Sequence, residues 1–102
     1  MSDIREARIA LASRILEGAG EASPSVRRAA FNNSGLPESQ AALVDKVARS
    51  AYEVTDGDIT AVRESGLSED QVFEIVVCAA IGQATRQYDG ALAALEAATR
   101  KE

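Results

Sequence analysis

Glu74 and Cys78 are the two side chains in this sequence with the clearest potential for chemistry. They lie four residues apart, on one helical face, within the apolar stretch Val72 to Ile81. A thiol in such a setting is ordinarily a small hydrophobe with a raised pKa and low reactivity, so packing is the first reading of Cys78. A carboxylate there must be paired, hydrogen-bonded or protonated, and both active sites and structural ion pairs make use of such states. Arg63, Arg49 and Arg86 are the candidate partner charges, within the subunit or across an interface. With an arginine orienting an anionic substrate, Glu74 has the character of a general acid or base. Tyr52 and Tyr88 are candidate hydrogen-bond partners, although half-polar rings on helices more often mark the margin of a core.

Asp56-Gly57-Asp58 has the look of a calcium-loop fragment, but the other oxygen ligands and the closing glutamate are missing at the required spacing. Carboxylates in the first turn of a helix complement its positive end, so capping is the expected role of Asp58. The chain has one cysteine and no histidine, which removes an internal disulfide and the usual zinc and haem ligand sets. No metal and no cofactor are expected.

The elements that must hold these residues are helical. The 102 residues suffice for one domain, 1–102, and the hydrophobic share of 46% with 26% charged residues is a globular balance. Only 4% of residues are aromatic and alanine is plentiful, a composition that suits close helix packing and disfavours strands. A net charge of -5, with 11 basic residues scattered among acidic ones, argues against nucleic acid as a partner. The charged first turn and the shortness of the longest apolar run, Ile75 to Gly82, argue against secretion and membrane insertion, so a cytoplasmic location is expected.

Apolar spacing at Ile4, Ala7, Leu11 and Ile15 predicts a first amphipathic helix, capped by Ser2 or Asp3 and stopped at Gly18 and Gly20. Ser23-Pro24 opens a short second helix through Phe31, and Pro37 opens a third that runs to about Tyr52. Two further starts share one grammar. Thr55 with Asp58 and Ser68 with Gln71 form capping boxes, and Val54/Ile59 and Leu67/Val72 stand where hydrophobic staples close. The fourth helix covers about 55–65 and ends at Gly66. The fifth is long and central, about 68–98, with Gly82 and Gly90 as its places to bend. Its first half, Val72 to Ile81, is apolar on every side except Glu74 and predicts a buried helix. Its outer half carries a narrow stripe of Ala84, Tyr88, Ala91, Leu92 and Leu95 and predicts a surface helix.

The segment from Ala51 to Ile59 together with Glu64-Ser65-Gly66-Leu67-Ser68-Glu69-Asp70-Gln71-Val72-Phe73-Glu74-Ile75 resembles the carboxymuconolactone decarboxylase / alkylhydroperoxidase D-like family. The resemblance covers about 36–95, continues into Ala79, Ala80 and Gly82, and leaves 1–35 as the divergent part beside a family-like core at 36–98. It implies an orthogonal all-α bundle of about five helices that assembles into homo-oligomers, trimers or hexamers. It also implies thiol-based peroxidase or lactone decarboxylase activity in some members. The peroxidase-like members need a C-x-x-C-x-x-x-H motif, and the matching positions here are Ala51, Val54 and Asp58. Both thiols and the imidazole are therefore missing, and Cys78, one helix later, has no resolving partner.

These readings give an order of expectations. The first is a non-redox oligomer with a binding or interaction role, whose candidate pocket residues are Glu74, Cys78, Tyr52, Asp58 and Arg63. The second is a decarboxylase- or isomerase-type enzyme using Glu74 with an arginine. Peroxide reduction of the family type is disfavoured, and a scaffold role would leave Glu74 in a closed ion pair. A small-molecule ligand is the further expected partner of that pocket, beside other copies of the chain.

Overall fold

A computed structural model of the chain describes residues 2–100, with side-chain surroundings from Ile4 onward, so the cap expected of Ser2 or Asp3 lies outside the described side chains. Five α-helices follow one another: α1 (Ser2–Glu17), α2 (Pro24–Asn32), α3 (Glu38–Ser50), α4 (Asp56–Glu64) and α5 (Glu69–Arg100). No strand occurs among the described residues.

The helix starts follow from local chemistry. Ser23 accepts a hydrogen bond from the Val26 N–H with Pro24 at the first helical position, and Asn33 closes α2 in the left-handed conformation at φ 52°. At α4 the Thr55 hydroxyl accepts from the Asp58 N–H (3.2 Å) while an Asp58 oxygen accepts from the Thr55 N–H (2.9 Å). Ser68 and Gln71 make the same reciprocal pair at α5, at 3.1 and 2.8 Å. Gly66, at φ 115°, turns the chain between the two helices.

Pro37 stands at the N-cap of α3, the helix it was expected to open. Two expectations need correction. That helix stops at Ser50, and Ala51–Glu53 tighten into a single 3-10 turn, because Ser50 leaves the helical region at φ -152°. The first half of α5 is buried on one face only: Val72, Ile75, Cys78 and Ala79 are inside, whereas Phe73 is 68% exposed. A chain this short has too few helices to surround α5 completely.

One cluster joins all five helices, with Leu16 from α1, Ala30 from α2, Leu43, Val44 and Val47 from α3, Val62 from α4, and Val72, Ile75, Cys78 and Ala79 from α5. Burial of each larger aliphatic side chain in it contributes ~1.5–3 kcal/mol. The most extensive helix pair is α2 on α5, and α1 packs against both, so residues 4–35 pack on their own chain and share the core of the later helices. Glycine at 82, fully inside, allows that approach.

Beyond Gly82, α5 remains helical but leaves the core. Arg8 of α1 accompanies it, lying 4.7 Å over the Tyr88 ring and pairing with Asp89 at 3.0 Å. The molecule is consequently elongated, 55 × 28 × 21 Å with a radius of gyration of 15.4 Å. A compact domain of this length has ~13 Å.

Candidate functional site

Glu74 and Cys78 line one pocket of about 190 Å³, at the junction of α1, the loop that follows it, α2 and α5. Glu74 reaches across to that loop. One carboxylate oxygen accepts from the Glu21 N–H at 2.8 Å and the other from the Ala22 N–H at 2.9 Å. The Gln71 side-chain amide donates to the Glu21 carbonyl at 3.3 Å, so the start of α5 clasps both polar groups of that residue. Gly20 lies so close beneath the carboxylate that a Cβ there would stand 2.7 Å from Glu74 Oε1.

The expected arginine partners of Glu74 are engaged elsewhere. Arg49 pairs with Asp45 at 2.6 Å, Arg63 stands 3.8 Å from Glu69, and Arg86 donates to the Phe31 carbonyl at 2.7 Å. Backbone N–H groups do the work assigned to a cation, because the carboxylate emerges from α5 opposite a loop whose amides have no helical partner.

Two other arginines meet at the pocket, Arg14 from the last turn of α1 and Arg27 from α2. Arg27 is 5% exposed. Its Nη1 donates to the Ile15 carbonyl at 3.0 Å, serving one of the orphan acceptors at the end of α1. Its Nε is buried without a hydrogen-bond partner, and no carboxylate lies within ion-pairing distance of either arginine among the described residues. Leaving such a donor unsatisfied costs about 1–3 kcal/mol. Ile15, Phe73 and Val77 add apolar walls.

Cys78 is buried, and desolvation raises its pKa above the ordinary 9.0; nearby Arg27 acts in the opposite sense and Glu74 adds to the rise. The side chain is therefore a thiol near neutrality. As pH climbs beyond 9.0 the unfolded chain ionises before the native one, so stability present below that point is lost. Cys78→Ala, whatever its effect at neutral pH, is expected to flatten this alkaline decline in urea-unfolding series; an unchanged slope would contradict the assignment.

The remaining expected pocket residues are scattered. Tyr52 is 88% exposed on the 3-10 turn. Asp58 is occupied by its capping box and by Lys46 at 2.9 Å, which together hold its carboxyl below the usual value, Lys46 being the larger influence. Arg63 borders a separate shallow depression with Thr60, Glu64 and Leu67. No group of three or more potential metal ligands occurs among the described residues.

Arg14 and Arg27 were not anticipated from the sequence. A signal for Arg27 exists: it shares the helical face of Ala30 and Phe31, where a cation is as out of place as Glu74 is on α5. Arg14 carries no such mark. Comparison with family models, with curated proteins and with solved structures yields no match to this chain.

Proposed function

We propose that this protein is a non-redox, homo-oligomeric binding protein, with the resemblance to the carboxymuconolactone decarboxylase / alkylhydroperoxidase D-like family as part of that reading. The observation that carries it is the apolar surface left uncovered on α1 and α5, where Ile4 (53%), Ile9 (57%), Leu11 (46%) and Leu95 (60%) face outward along an elongated body. Scattered exposed aliphatics are ordinary, but several along one projecting helix pair are the pattern that association covers. A second copy of the chain is the occupant of this reading. No helix among the described residues is long and apolar enough to cross a membrane. A reducing cytoplasm suits the lone buried thiol.

The non-redox half of the proposal draws on Cys78, which burial keeps protonated and which has no second cysteine in the chain. An enzyme built on Glu74 is less favoured, since both of its oxygens are tied to the loop between α1 and α2 and none of the arginines expected to work with it, Arg49, Arg63 or Arg86, stands beside it to orient an anionic substrate in the way that reading requires.

Light scattering on the eluting protein is expected to give a mass above that of one chain, and Leu11→Glu to lower it while helicity is kept. A monomer at all concentrations would overturn the oligomer. Peroxide turnover that disappears in Cys78→Ser would overturn the non-redox assignment.

A further inference from the structure

The pocket between the end of α1, α2 and α5 holds an imbalance of charge. Arg14 and Arg27 line it with no carboxylate in ion-pairing distance, and Glu74 has both oxygens committed to the loop. Arg27 is nine-tenths buried or more and retains an unpartnered Nε. A cation in that state is stabilised by any anion admitted beside it, since charge attraction strengthens where water is excluded. Two guanidinium groups against one carboxylate leave a surplus of a single positive charge, which fits a monoanion better than a dianion. Planar guanidinium groups match the geometry of a carboxylate. The walls supplied by Ile15, Phe73 and Val77 ask for an apolar body behind the charged head.

We infer that this pocket is a binding site for a small organic monocarboxylate, its carboxylate directed to Arg27 and Arg14 and its apolar part to Phe73 and Val77. The inference rests on the binding role proposed above and gives that role a ligand class. Arg27 also supports the end of α1 through the Ile15 carbonyl, so a test must separate support from recognition. Arg14 provides that separation, being exposed and without an ion pair among the described residues.

The labelled 102-residue chain titrated with benzoate, benzamide and inorganic phosphate, and followed by the arginine Nε–H and backbone amide resonances in NMR, decides the matter. Benzoate is expected to saturate at about millimolar concentration, the scale of a ligand with few atoms, and to move the Arg27 and Arg14 signals together with the Cys78 amide. Benzamide, isosteric but neutral, should bind about tenfold or more weakly, as should Arg14→Gln toward benzoate with its thermal midpoint unchanged. Arg27→Gln, if folded, should abolish saturation. Benzamide binding as well as benzoate would overturn the anion assignment while leaving a binding pocket. Phosphate binding as well as benzoate would overturn the apolar body, and absence of saturable shifts with every probe, in a protein that still elutes as an oligomer, would overturn the inference and leave the proposed assembly standing. Unchanged benzoate affinity in Arg14→Gln, with Arg27→Gln unfolded or equally unaffected, would also overturn it.

Discussion

Gly82→Ala is expected to destabilise the protein by ~3 kcal/mol or more, although alanine is the better helix former. Gly82 lies in α5 where α2 crosses it. A Cβ there would collide with the Phe31 carbonyl oxygen and lie 2.7 and 2.9 Å from the carbonyl carbon and Cα of the same residue. These are backbone atoms, so no side-chain rotation relieves the overlap. The carbonyl is held on its other side by Arg86 at 2.7 Å, and displacing it would break that hydrogen bond too. The two helices with the most extensive contact in the molecule must then separate. For a chain of this length the loss corresponds to a fall in Tm on the order of 15 °C. Gly90→Ala is the matched control: the same helix and substitution, with no atom within 4 Å of the new Cβ. It is expected to stabilise by ~0.8 kcal/mol, the ordinary propensity difference. Urea unfolding of both variants checks the pair, and equal midpoints would show that the Phe31 carbonyl does not press on Gly82.

Glu74→Gln is expected to cost about 3 kcal/mol. The carboxylate accepts from two adjacent backbone N–H groups, one of them on the buried residue Ala22, and charge-assisted bonds of this kind contribute ~1.5–3 kcal/mol each. Glutamine keeps the shape but turns one acceptor into an NH₂ donor facing an N–H donor. The loop between α1 and α2 would loosen before the rest, so amide exchange at Glu21 and Ala22 should accelerate more than exchange in α3 or α4. Wild-type exchange at these two amides, with an unchanged unfolding midpoint, would remove Glu74 from the role of loop clasp.

The course of the chain was legible because helix entry is written in a few adjacent residues. Thr55/Asp58 and Ser68/Gln71 each carry a complete set of reciprocal donors and acceptors, and both boxes form where they were expected. The end of α3 was less legible, since Ala51 and Tyr52 are compatible with continued helix and only the backbone turn at Ser50 stops it. Glu74 and Cys78 were recognisable as neighbours from their spacing, and the structure places them in one pocket. Their surroundings were not, because Asp58 is claimed by Lys46 on the preceding helix and Arg63 stands beside Glu69 at the start of the next.

By itself, then, the amino-acid sequence determined the helical class, the capped starts, the single thiol without a redox partner and the pairing of Glu74 with Cys78 on one helical face. Those features depend on residue type and on separations of a few positions, over which the backbone geometry is known in advance. The tertiary structure alone decided that Glu74 holds a loop 52 and 53 residues away, that Arg14 and Arg27 join it, and that Gly82 admits the Phe31 carbonyl. Such contacts depend on how helices cross, and a crossing is set by the summed packing of side chains from all five helices rather than by any local run of residues.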